Sequence, residues 1–195
     1  MRNVFLDCGA HCGCSRRKWA ELHPNYEIFS FEADPELCEM SPSLINKAVS
    51  TVNGEATFYK FGIDGGSSLA KARADIMKVR KPNYYPLETI RVSTFDLNEF
   101  ILQNFTTSDY IVLKLDIEGA EYEVLPHLIQ GGGINLIKEL FIEWHDFRVG
   151  VDPKVNGELT NILQSRLLTP KAWDAMEPAY CFIKDDEERR KYHVR

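Results

Sequence analysis

At 195 residues the chain can build one sizeable core but hardly two, and 44% hydrophobic against 27% charged residues is globular composition, which excludes a disordered segment, a collagen-like rod or a coiled coil. The 23 Lys and Arg against 29 Asp and Glu leave a formal net charge of −6, which disfavours phosphate-driven binding of nucleic acid. No apolar run reaches the roughly 20 residues of a membrane span, residues 1–7 enter a glycine-bearing turn too soon for a signal peptide, and five cysteines suit a reducing compartment, so a cytoplasmic chain with no membrane partner is expected.

Short apolar runs alternate with amphipathic stretches, the pattern of parallel strands joined by crossover helices. Residues 4–8 read as a first strand, followed by a Gly/Cys turn and a helix over 15–22. Residues 26–31 form a second strand, and Pro35 after Asp34 marks a helix start, where its missing N–H costs little. A third strand is expected over 44–49, with Asn53-Gly54 as a hairpin turn between 49–52 and 56–61. Residues 67–80 have helical composition and lead into a Pro-bounded loop over 81–86, and 89–92 read as a strand. The apolar spacing of 94–101 predicts a helix, and 110–115 is the clearest buried strand. A helix over 120–130 stops at Gly131-Gly132-Gly133, a strand covers 136–144, and a helix lies near 155–166. A closing hairpin is expected from 171–176 and 180–184. The whole reads as one α/β domain, 1–184, with a charged tail at 185–195.

Four constellations carry candidate chemistry. Asp7-Cys8-Gly9-Ala10-His11-Cys12-Gly13 closes the first strand; in an open parallel sheet this turn is where cofactors sit, and its glycines let backbone approach a ligand. Asp7 suits a ligand bearing an ammonium and would oppose a pyrophosphate. Glu32 ends the second strand, where it reads either as a solvated loop acid or as the acceptor for a ribose diol. Together the two acids favour a nucleoside-bearing cofactor that is not a dinucleotide, a description S-adenosylmethionine meets. Lys114-Leu115-Asp116-Ile117-Glu118-Gly119-Ala120-Glu121 sets four ionisable groups at a strand exit, a costly arrangement that needs a reason. Alternation puts Lys114 and Asp116 on one side, and Glu121 is explained by the helix N-terminus that follows. Glu143-Trp144-His145-Asp146 brings a histidine to the end of another strand, where it could exchange a proton.

This ordered set, with Phe31-Glu32-Ala33-Asp34-Pro35, Asn46-Lys47-Ala48-Val49 and Ser67-Ser68-Leu69, resembles the FkbM family of S-adenosylmethionine-dependent O-methyltransferases, from about residue 4 to residue 145. Lys-x-Asp-x-Glu-Gly-x-Glu is its most specific element. The resemblance implies a Rossmann-like, seven-stranded, doubly wound sheet with six parallel strands and one antiparallel C-terminal strand. It implies S-adenosyl-L-methionine bound by Asp7, Gly9, Ala10, Gly13, Glu32, Ser68, Asp116 and Glu118, although a plain helix cap explains Ser68 equally well. The first strand begins almost at the chain start, without the covering segment many such enzymes carry, and the crowding of Cys8, Cys12 and Cys14 is unusual for the family.

The expected reaction is methyl transfer to a hydroxyl of a sugar in a glycan or glycosylated metabolite, with Asp116 or His145 as the base and Glu143 and Glu118 shaping the pocket. A divalent cation between Asp116 and Glu143 is the less favoured activator; the expected site holds no metal. The rivals are an NAD-dependent oxidoreductase, a non-catalytic adenosyl-binding module, an iron–sulfur site at the three crowded cysteines, and an adenine methyltransferase suggested faintly by Asn83-Tyr84-Tyr85.

Overall fold

The computed structural model describes residues 1–61, 66–80 and 88–173. In chain order the elements are β1 (Asn3–Cys8), α1 (Cys14–Leu22), β2 (Tyr26–Glu32), α2 (Pro35–Met40), β3 (Ile45–Asn46), β4 (Ala48–Ser50), β5 (Gly54–Lys60), α3 (Lys71–Arg80), β6 (Glu88–Asp96) and α4 (Leu97–Asn104). They continue with β7 (Tyr110–Leu115), α5 (Glu121–Gly131), a 3₁₀ turn (Gly133–Leu136), β8 (Ile137–Ile142), α6 (Asp146–Val149), α7 (Lys154–Gln164) and β9 (Pro170–Ala172).

Six strands form a parallel sheet in the order β3-β2-β1-β7-β8-β9. The near-continuous apolar runs of β1 and β7 follow from burial on both faces of a sheet whose crossovers carry helices. Val4, Leu6, Ile111, Leu113 and Leu140 turn one way into the main core, where Ile101, Leu125, Leu128 and Leu163 of the covering helices meet them. Phe5 turns the other way and stacks on Trp19 of α1, ring centroids 4.1 Å apart. Between β1 and β7 the winding direction reverses. A crevice therefore opens beyond the carboxyl ends of these two strands, the general place for a ligand in open α/β sheets.

The region between β3 and α4 differs from the sequence expectation. The run over 44–49 is not one strand: a turn at Lys47, whose N–H donates to Ile45 O (2.8 Å), breaks it into β3 and β4, which belong to different sheets. Nor does Asn53-Gly54 close a hairpin. β6 inserts between β4 and β5, so Thr94 is opposed by Ala48 in parallel on one side and by Gly54 antiparallel on the other. Asn53 ties the turn to the next junction instead, accepting from Asp96 N–H (3.1 Å) and donating to Glu99 (2.6 Å). The helix expected from 94 starts at Leu97, because Thr94 and Phe95 are buried as strand residues and Asp96 supplies the cap, accepting from Glu99 N–H at 3.0 Å. Ser67 and Ser68 also precede their helix; Ser68 pairs antiparallel with Tyr59, and α3 begins at Lys71.

Other boundaries follow the sequence reading. Asp34 caps α2 with Pro35 at its first position, and Gly132 at φ 88° ends α5 in the left-handed conformation that glycine permits. β9 lies parallel to β8; the partner strand expected over 180–184, and with it the seventh, reversed strand, falls outside the described residues, as do the tail and the loop at 81–86. Among the described residues no helix is long and apolar enough to cross a membrane.

Candidate functional site

The β1–α1 turn is built against the end of β7. Gly9 and Ala10 both donate N–H to Phe31 O (3.1 and 2.9 Å), and Gly9, at φ 80°, passes so close to β7 that a Cβ there would lie 1.7 Å from Asp116 O. Beneath the turn Lys114 Nζ donates to Gly9 O (2.7 Å) and lies 3.1 Å from Asp7 Oδ1 and 3.3 Å from Asp116 Oδ2. Lys114 and Asp116 thus share a side of the strand, as alternation requires. Burial opposes the charge on Lys114, but the fields of Asp7 and Asp116 outweigh it and raise the ammonium's pKa. Asp7 is fully buried, and its Oδ2 accepts from Ser15 (2.7 Å) and Ser30 (3.2 Å). The ammonium that Asp7 faces in this structure is that of Lys114.

Glu32 emerges at the neighbouring strand end. Its Oε2 accepts from His11 N–H (2.7 Å) and its Oε1 from Asp34 N–H (2.8 Å), so both oxygens are fixed by backbone while each keeps a lone pair for a further donor. Burial raises its pKa against these two amides, which pull it down.

The third strand end is a strained turn. Glu118 sits at φ 55°, a conformation that costs a non-glycine residue on the order of 1–3 kcal/mol, and Gly119 at φ 106° leaves no room for a Cβ, which would meet Val149 Cγ1 at 2.2 Å. Glu121 holds the turn: its carboxylate accepts from Ile117 N–H (2.7 Å) and Gly119 N–H (2.8 Å) and takes His145 Nδ1 at 3.0 Å. Glu121 stands in the first turn of α5, as expected of an acid at a helix N-terminus, and is also completely buried. Glu118 is gripped from the side by Arg73 (2.9 Å) and Arg148 (3.0 Å), two residues that the sequence reading missed. Neither arginine lies in a motif; pairings across 45 and 30 positions leave no local signal.

His145 is the hub. Nδ1 faces Glu121, while Nε2 lies 3.4 Å from Glu118, 3.4 Å from Glu143 and 3.9 Å from Asp116. Burial opposes its charge, but the contacts with Glu121 and Glu143 and the field of Glu118 prevail and raise its pKa to about 10. The contact with His145 holds the Glu143 carboxyl below its usual range, whereas burial raises that of Asp116 despite Lys114.

A cavity of about 570 Å³ joins these strand ends, lined among others by Gly9, Ala10, Glu32, Asp116, Glu118 and Glu143. The rings of Trp19, Tyr26, Phe141 and Trp173, in contact with one another, line it as well. Asp7, Gly13, Ser68 and His145 are not among its lining residues. Gly13 is needed for its φ of 75° at the start of α1, and Ser68 spends its hydroxyl on Glu118 O (2.6 Å). Cys8 belongs to the main core, its thiol pushed up by burial, and so does not join the turn cysteines in a cluster. Asn83-Tyr84-Tyr85 lies outside the described residues.

Residues 7–167 match the family described as the methyltransferase FkbM domain. Over 156 residues the chain is 29% identical to the 2-O-methyltransferase NoeI of Sinorhizobium fredii (strain NBRC 101917 / NGR234), a match covering 71% of this chain and 61% of that protein. The chain thus spans about three-fifths of that relative's length. No solved structure gives a significant match.

Proposed function

This chain belongs to the FkbM methyltransferase family, and from that premise we propose that it moves a methyl group from S-adenosylmethionine to a hydroxyl of a sugar, in a glycan or a glycosylated small molecule. The observation that carries the reading is Glu32, a buried carboxylate aimed by two backbone amides at the wall of a crevice at the switch point of the sheet. That arrangement suits a ribose diol. The cavity is of a size typical of small-molecule sites, roughly 300–1,000 Å³. The family, and not the charge of the walls, which carry Lys18, Lys47 and Lys114 beside Glu32, Asp116, Glu118 and Glu143, favours a sulfonium nucleoside over a nicotinamide dinucleotide. The name of the curated relative, a 2-O-methyltransferase, supports a hydroxyl acceptor.

S-Adenosylmethionine supplies, when bound, a methyl group already activated for displacement. What the chain must add is alignment of the acceptor and a place for its proton. Asp116 lines the cavity, with burial raising its pKa, and is the residue to which we assign the proton; Glu143, held low by His145, lines the cavity too. We assign His145 a positioning role in place of the expected base, because it is completely buried and is not among the residues lining the cavity. The test is calorimetric titration with S-adenosylhomocysteine, followed by transfer of a labelled methyl group to a panel of monosaccharides and glycosides. Saturable binding and label in a sugar are expected; no binding would overturn the reading, and binding without transfer to any hydroxyl would leave an adenosyl-binding module.

A further inference from the structure

We infer that Asp116, Glu118 and His145 form a site for one divalent cation at the end of β7, opening onto the cavity beside Glu143. The ligand atoms of these three residues lie within 4.8 Å of one another. His145 is completely buried, yet its Nε2 has no hydrogen-bond partner among the described residues, although it faces three carboxylates at 3.4, 3.4 and 3.9 Å. None of the three makes a hydrogen bond to Nε2, and the separations suit a shared ion. Ligands about 2.1 Å from a cation stand about 3 Å apart when adjacent and about 4.2 Å apart when opposite.

The surroundings are also those of a ligating histidine. The Glu121 carboxylate already accepts two backbone N–H groups, so Nδ1 of His145 donates to it, which turns Nε2 toward the acids. A carboxylate behind a ring nitrogen is the usual outer support of a metal-bound imidazole. Two carboxylates with one imidazole suit a borderline ion such as Mn²⁺, more than the strictly oxygen-seeking Mg²⁺. Arg73 and Arg148 fix Glu118 and offset part of its charge, so the site is one of moderate affinity. A proton on Nε2 and the divalent ion compete for the same concentration of negative charge.

Asp116 and Glu118 line the cavity, so the remaining coordination positions face it. There the cation would meet the acceptor oxygen and ease loss of its proton, a role that rests on the function proposed above, while the binding itself does not.

The experiment is a titration of the purified chain with Mn²⁺, followed by loss of the free-ion paramagnetic resonance signal. Asp116→Asn and Glu121→Gln are run alongside, with thermal melts to establish folding, and S-adenosylhomocysteine binding is measured on the same samples. One bound equivalent is expected, weakened about 10- to 100-fold by Glu121→Gln, and by at least as much in Asp116→Asn. No bound ion at millimolar Mn²⁺, or unchanged binding in a folded Asp116→Asn, overturns the site. Asp116 has a partly exposed side chain, so its variant carries the test if Glu121→Gln fails to fold. Ion binding without adenosyl binding would sink the proposed function alone. Methyl transfer indifferent to chelation would overturn the contact with the acceptor.

Discussion

Replacing Lys114 by methionine removes the ammonium that sits among Asp7, Asp116 and Gly9 O while keeping the length of the side chain. Lys114 is 2% exposed and Asp7 0%, so the variant leaves a carboxylate sealed from water with the hydroxyls of Ser15 and Ser30 as its side-chain donors among the described residues. Breaking a buried pair by removing one partner costs about 3–5 kcal/mol, because the other charge stays behind. For a chain of this size about 1 kcal/mol corresponds to roughly 2–4 °C in Tm, so a fall of about 6–20 °C is expected. Asp7→Asn alone leaves a buried ammonium that Asp116 still partners, and should cost less. In the double variant, Asp7→Asn with Lys114→Met, the fully buried charge is gone and only the partly exposed Asp116 carboxylate lacks its ammonium, so its Tm should lie above that of Lys114→Met. Thermal unfolding by circular dichroism across this four-member cycle measures the coupling. A loss below about 1 kcal/mol for Lys114→Met, or a double variant as unstable as the sum of the singles, would refute the claim that the pair is buried and interdependent.

Gly9→Ala should lose adenosyl binding and stability together, since the added methyl falls 1.7 Å from Asp116 O at a φ that disfavours alanine; calorimetry and a melt on one sample check both. Glu32→Gln should weaken S-adenosylhomocysteine binding about 10- to 150-fold, the loss of a charged acceptor worth about 1.5–3 kcal/mol; unchanged affinity would move the ribose elsewhere. Asp109 is held well below the usual carboxylate range by the Arg2 guanidinium and by the N–H groups of Thr106 and Arg2. Its contribution is therefore complete above the unfolded carboxyl pKa and lost as pH falls through the acid range, so the Tm advantage of wild type over Asp109→Asn should shrink between about pH 5 and pH 2.

The parallel strands were legible because burial on both faces writes itself as runs such as Tyr110-Ile111-Val112-Leu113, and the strand-end acids because charge beside such runs is conspicuous. Less legible was partnership. Nothing local in Ala48-Val49-Ser50 or in Gly54-Glu55-Ala56 says that each will flank residues 88–96 rather than each other; an Asn-Gly pair is a turn signal, but only the insertion of β6 decides what the turn joins. The same limit misplaced the start of α4, where Thr94 and Phe95 had apolar spacing fit for a helix and tertiary burial made them strand.

For the site, residue type at a strand end showed which groups gather at the crevice but not which of them face it. Asp7, Glu121 and His145 are fully buried there and each is turned inward to hold backbone or another charge, while Lys114, almost as buried, ties Asp7 and Gly9 O to Asp116 at the cavity wall. Glu32, Asp116, Glu118 and Glu143 are left on the wall. The inward set explains how the strained turn at Glu118 survives: Glu121 satisfies its amides, Arg73 and Arg148 fix its side chain, and Gly119 yields the space Val149 takes. Strain held this firmly presents Asp116 and Glu118 to the cavity in one geometry, with no ordering left to be done when a ligand arrives. The motif Lys-x-Asp-x-Glu-Gly-x-Glu is thus two interleaved sets, one that builds the turn and one that the turn displays.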